Sequence, residues 1–166
     1  ITMSVVDESS DNNFDALANQ TVTATTTDND TAGFTLSTTT ATVTEAGGTA
    51  TFTVVLDAQP DSNVVIGVTS ADTGEATVSA ATLTFTSANW DSAQTVTVTG
   101  VDDNVIDVDT QTTITMSVVD ESSDNNFDAL ADQTVTATTT DNDTAAFTLS
   151  TTTVSYTHLR AHETLR

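Results

Sequence analysis

The chain repeats itself at long range. Residues Ile1 to Thr40, ITMSVVDESSDNNFDALANQTVTATTTDNDTAGFTLSTTT, return as Ile114 to Thr153 with two changes, Asn19 to Asp132 and Gly33 to Ala146. The offset between the copies is 113 residues. That is several times the period of a solenoid or propeller repeat and about the size of one immunoglobulin-like sandwich, so each period is expected to be a self-contained domain in a tandem array. In this frame residues 1–31 are the last two strands of a preceding repeat, 32–144 one complete repeat, and 145–153 the first strand of a following one. Because Ile1 falls in mid-pattern, an internal fragment is expected, with any targeting segment upstream.

The register fails at Val154, where VSYTHLRAHETLR replaces the ATVTEAGG that follows Thr40. Both Arg, both His and the single Tyr fall in residues 154–166, and VSYTHLRAHET is similar to the translation of a transposon-type sequencing adaptor, so this tail is expected to be non-native. His158 and His162 have the spacing of a helical zinc pair, but Leu159 stands where a metalloprotease needs Glu. A pair without a third ligand or a base is half a site.

Within the complete repeat, apolar and β-branched residues alternate with Thr and Ser at period 2, which predicts strands rather than helices. The expected strands are A, Phe34–Thr44, with a possible break near Thr38; B, Thr49–Leu56; C, Asn63–Thr69; D, Thr77–Thr86; E, Ala93–Gly100; F, Thr112–Val119; and G, Gln133–Thr140. About seven strands fit an all-β, immunoglobulin-like Greek-key sandwich. The inward set is expected to be Phe52, Val54 and Leu56 on B; Val64, Ile66 and Val68 on C; Leu83 and Phe85 on D; Val96 and Val98 on E; and Ile114, Met116 and Val118 on F. Trp90, in the D–E turn, is expected to close one end of this core.

Charge narrows the function. The chain has 24 acids and two bases, a formal net charge of −22, and no Lys or Arg before Arg160. Nothing in residues 1–159 can neutralise phosphate, so no nucleic-acid partner is expected. No apolar run approaches the ~20 residues of a membrane span, so no membrane insertion is expected either. With no Cys, a disulfide framework is excluded.

With strands running alternately up and down, the A–B, C–D and E–F connections and the end of G emerge at one pole. That gathers Glu45 from A–B, Asp72 and Glu75 from C–D, Asp102, Asp103, Asp107 and Asp109 from E–F, and Asp141 and Asp143 after G. Two unit charges about 4 Å apart repel by about 1 kcal/mol in water and about 4 kcal/mol at an effective dielectric near 20. A hard, flexible cation that accepts about six to eight oxygens matches such a donor set, and calcium is the expected cofactor; a solvated acidic face is the alternative. The F–G loop spaces Asp120, Ser122, Asp124, Asn126 and Asp128 like an EF-hand, but Asn125 and Ala131 stand where Gly and Glu are required. Phe127 and Leu130 are expected to tuck this loop against the opposite pole.

At these residues the repeat resembles the Calx-β family, immunoglobulin-like calcium-binding modules that also occur in tandem on large bacterial surface proteins. The resemblance rests on VTEAGGTATFTVVLDAQP (Val43–Pro60), TLTFTSANWDSAQTVTVTGVDDN (Thr82–Asn104) and TTTDNDTA (Thr138–Ala145), in family order. It implies calcium ligands at Glu45, Asp102, Asp103, Asp141 and Asp143. Two departures stand out: TSADTGEATVS (Thr69–Ser79) replaces the family's Gly-Thr-Ala…Asp-Tyr segment, leaving Glu75 as the substitute ligand, and Asn142 interrupts the terminal acids.

The expected function is that of a calcium-binding spacer in an extracellular or cell-surface, adhesin-like repeat protein, with calcium stiffening the junctions to neighbouring repeats of the same chain. An acidic spacer without an ion site is the alternative. An enzyme is not expected, because residues 1–153 hold no His, Cys, Lys, Arg or Tyr. Paired carboxylates leave a carbohydrate-active module as a remote reading. Thr-x-Thr runs such as Thr95–Thr99 suggest ice binding, but twisted sheets do not present the flat grid it needs.

Overall fold

Period-2 patterning carries through to the structure. A computed structural model of the protein describes residues 1–150 and Thr153, and among these there is no α-helix, only strands and two single 3-10 turns, Asp7–Ser9 and Asp120–Ser122. The tail 154–166, with His158 and His162, lies outside the described residues. The chain divides into two compact units, Ile1–Thr31 and a second that begins at Ala32.

The first unit is a small hairpin. Strands β1 (Thr2–Met3) and β2 (Gln20–Thr21) pair antiparallel, Thr2 opposite Thr21 and Met3 opposite Gln20. The Ile1 amine closes it by donating to the Val22 carbonyl at 2.8 Å.

The second unit is a two-sheet sandwich of nine strands: β3 (Phe34–Leu36), β4 (Thr40–Thr44), β5 (Thr49–Leu56), β6 (Val64–Ser70), β7 (Ala76–Val78), β8 (Thr82–Phe85), β9 (Gln94–Gly100), β10 (Thr110–Val118) and β11 (Gln133–Thr140). One sheet has the order β4-β11-β10-β6-β8 and the other β3-β5-β9-β7. This is the immunoglobulin arrangement of a four-stranded sheet facing a larger one. Every pair is antiparallel except β11 with β4, which run parallel from Thr136 opposite Thr40 to Thr140 opposite Thr44.

Nine strands replace the expected seven because two of them change sheets midway. In strand A, Ser37 N–H still bonds the Thr53 carbonyl, whereas Thr40 N–H turns to the Thr38 hydroxyl and the chain re-enters beside β11. In strand D, Ser79 donates to Thr97 of β9, and two residues later Ala81 accepts from Val68 of β6. Such crossings let one segment edge both sheets.

The core falls where alternation places it. Phe52, Val54, Leu56, Val64, Ile66, Val68, Leu83, Phe85, Val96, Val98, Ile114 and Met116 are buried, whereas Val118 is only half-buried at the end of β10. Phe127 is buried and Leu130 packs against the same cluster, holding the β10–β11 loop to the far end of the sandwich. Trp90 is half-buried against the core, and its carbonyl accepts the Leu56 N–H at 3.1 Å. Two buried threonines break the expectation that Thr faces water: Thr112 and Thr139 point inward near the acidic end.

At that end backbones approach closely. Gly100 N–H bonds the Gly48 carbonyl at 3.0 Å, and a Cβ on Gly100 would fall on the Thr44 carbonyl, which cannot move without breaking the β4–β11 ladder. Gly100→Ala is therefore expected to lower stability by about 1–3 kcal/mol in urea unfolding.

Candidate metal centre

Four segments meet at one pole, and backbone hydrogen bonds draw them together. Glu45 N–H bonds Thr140 O at 3.2 Å, joining the β4–β5 turn to the end of β11. Val101 N–H bonds Glu75 O at 2.9 Å, joining the start of the β9–β10 loop to the β6–β7 loop. Thr139 donates its hydroxyl to Glu75 O at 3.2 Å, and Asp72 N–H donates to the Thr112 hydroxyl at 3.0 Å, which is the task of the two inward threonines. The tight β4–β5 turn requires Gly47, whose φ of 79° suits glycine.

Glu45, Asp141 and Asp143 each place a carboxylate oxygen within 4.8 Å of the others. Glu45 is 3% exposed despite its charge. Asp141 is held by two amides, Asp143 N–H at 2.6 Å and Asp107 N–H at 3.2 Å. Asn142, an interruption in the sequence pattern, stitches the acids: its N–H donates to Glu45 Oε2 at 3.3 Å and its Nδ2 to Asp102 Oδ1 at 3.1 Å. A third Asp at this position would supply no side-chain donor, only another charge. Asp143 Oδ2 is buried without a hydrogen-bond partner.

The other sequence-picked acids surround this trio at greater remove. Asp103 and Asp107 are near enough to act electrostatically on both Glu45 and Glu75, and Asp102 on Asp143. Glu75 is half-buried beside Asp72 and outside the close trio. Asp109 is exposed at the end of the β9–β10 loop, also outside the trio.

Burial and like charge both act on protonation. Desolvation pushes the Glu45, Glu75 and Asp143 carboxyls above their ordinary range; Asp141 adds to this for Glu45 and Asp143, Asp107 for Glu75, while the Asn142 N–H partly offsets it at Glu45. An oxygen-only donor set of this kind, drawn from separate segments, partly buried and with Asp143 Oδ2 unpartnered, fits a hard cation such as calcium.

Asp124 at the opposite pole has the reverse environment. It is buried and accepts N–H bonds from Asn126 at 3.0 Å, Ser62 at 3.0 Å and Asp61 at 2.8 Å, which hold its carboxyl below the usual range. At the EF-hand spacing of this loop, Asp124 is thus satisfied by amides, whereas Asp128 Oδ1 is buried without a hydrogen-bond partner. Asp124→Ala, which strips three N–H groups of their acceptor, is expected to cost about 2–3 kcal/mol in urea unfolding.

A carboxyl whose pKa is raised by folding adds stability below its unfolded value and withdraws it as pH climbs through the folded value. Metal-free protein is therefore expected to melt at progressively lower temperature as pH rises from the ordinary carboxylate range through the raised values of Glu45, Glu75 and Asp143. Asp124 acts oppositely, its contribution vanishing as pH falls below the ordinary Asp range. Calorimetric scans in chelator checks this: Glu45→Gln with Asp143→Asn should flatten the decline at rising pH, and Asp124→Asn the loss in acid.

No protein-family model and no curated protein matches this chain. Among solved structures it is similar to surface layer protein SbsC, domains 1–6, at 24% identity and a TM-score of 0.49 over 77% of this chain, and spans 16% of that one. SbsC domains 4 and 5 align at 26% identity and a TM-score of 0.47, covering 74% of this chain and 52% of theirs. The E. coli chaperone DraB aligns at 9% identity and a TM-score of 0.49, with 70% of this chain and 59% of DraB covered. No helix among the described residues is long and apolar enough to cross a membrane.

Proposed function

We propose that the sandwich is a calcium-binding structural module of an extracellular or cell-surface repeat protein, in which the cation ties the β4–β5 turn to the segment leaving β11 and so stiffens the junction to a neighbouring repeat. One observation carries this reading: Glu45, Asp141 and Asp143 converge within 4.8 Å, while Asp143 Oδ2 is buried without a partner. In this reading Asp102 and Asp103 would complete the oxygen shell, while Asp107, Asp109 and Glu75 lie outside the close trio. The resemblance of Val43–Pro60, Thr82–Asn104 and Thr138–Ala145 to Calx-β modules supports the same assignment. Catalysis is not part of this reading, since the pole offers only carboxylates, hydroxyls and amides.

The cation would act on stability by linkage. Free calcium at about a hundredfold above Kd stabilises the folded state by about 2.7 kcal/mol, which for a domain of this size is on the order of 10 °C in Tm. Calorimetric titration and melting of the chain with calcium are expected to show saturable binding and a rise of this order, well beyond that from magnesium. The response should be lost in Asp102→Asn with Asp103→Asn, and in Glu45→Gln with Asp143→Asn. Equal, weak responses to both ions would instead mark an acidic spacer without an ion site.

A further inference from the structure

Residues 1–31 and 114–144, which differ only at Asn19 and Asp132, place one sequence in two environments. In the sandwich, Ile114, Met116 and Val135 are 0% exposed and Phe127 is 2% exposed. Their copies in the first unit, at an offset of 113 residues, are Ile1 at 80%, Met3 at 56%, Val22 at 51% and Phe14 at 55%. The pairing is the same in both: Thr2 opposite Thr21 and Met3 opposite Gln20 correspond to Thr115 opposite Thr134 and Met116 opposite Gln133. Two residue pairs form in the first unit and seven in the second.

What differs is the cover. In the sandwich this hairpin lies between two strands, β10 bonding β6 from Ile114 opposite Ser70 to Val118 opposite Ile66, and β11 bonding β4 in parallel. Phe34 and Phe147 show the same dependence on the other flank: Phe34 is 3% exposed in β3 against β5, while its copy Phe147 is 87% exposed. A two-stranded hairpin is marginal alone, and exposed apolar side chains arranged for a known slot favour that slot.

We propose that residues 1–31 are one half of a docking interface whose occupant is a second copy of the repeat body, residues 32–113, presenting its β4 and β6 strands to the hairpin as this chain's body does to β10 and β11. Specificity comes from register and from the apolar set Ile1, Met3, Phe14, Leu17 and Val22. It does not come from charge, since both sides are acidic. The proposal makes no use of the acidic pole and stands whether or not calcium binds there.

The chain has no Cys, so a single introduced thiol reports burial without background. Met3→Cys in the chain as it stands should react with an alkylating reagent as an exposed thiol, and Met116→Cys as a buried one. Placing a second copy of 32–113 directly before Ile1 recreates the Thr113–Ile114 junction. In that extended chain, labelling of Met3→Cys should slow by at least about a hundredfold, towards the Met116→Cys rate. A Val68→Asp change confined to the added copy should restore fast labelling, with Met116→Cys still protected as proof that the original sandwich is intact. Fast labelling in the unmodified extension overturns the proposal, as does protection that survives Val68→Asp or that is already present without the added body.

Discussion

Burial and mutual repulsion among carboxylates, with no Lys, Arg or His among the described residues to relieve them, govern the acidic pole. Glu45, Asp141 and Asp143 are not close because they attract one another; they are close because the fold gives them no choice. The β4–β11 ladder runs to Thr140 opposite Thr44, which places the residues that follow each strand side by side. The bonds Glu45 N–H to Thr140 O and Val101 N–H to Glu75 O then draw in the remaining loops. Backbone hydrogen bonding and the buried core assemble the pole, and the acids bear the cost of desolvation first and of like charge second, which raises the carboxyl pKa values of Glu45, Glu75 and Asp143.

Protein groups already answer part of that repulsion. Asn142 donates to both Glu45 and Asp102, and the amides of Asp107 and Asp143 serve Asp141. These are neutral donors, so they solvate the charges without cancelling them. Asp124 shows the complete version of the same device, a buried carboxylate furnished with enough N–H groups to stay ionised. Asp143 Oδ2 has no such provision. Asp124, furnished with amides, is a turn-forming residue, whereas half-buried Asp143, with one oxygen unpartnered, joins Glu45 and Asp141 in the close trio.

Much of this was legible in the residues themselves. Alternation located the core because one face of each strand must be dry, and strand parity brought Glu45, Glu75, the β9–β10 acids and Asp141 to one end. Parity says which end a loop leaves from but not how far a side chain reaches, so it did not distinguish Asp143, in the close trio, from Asp109, exposed on the loop. The sheet crossings at Ser37–Thr39 and Ser79–Ala81 were only partly foreseen, since Thr and Ser serve equally as strand residues and as local turn acceptors. Thr112 and Thr139 escaped notice, and Asn142 was read only as an interruption of the terminal acids, for a related reason: polar residues near a charged end look like solvent-facing filler until their partners are known.

The parallel pairing of β4 with β11 carries a mechanical consequence. These two strands lie near the entry to and exit from the sandwich, and a pull on the two ends of the unit draws them past each other along their length. The five register pairs from Thr136–Thr40 to Thr140–Thr44 then share the load together, in shear, instead of opening one after another like a zip. A chain of such units would resist stretching until a whole ladder gave way at once, and would release its slack in discrete steps.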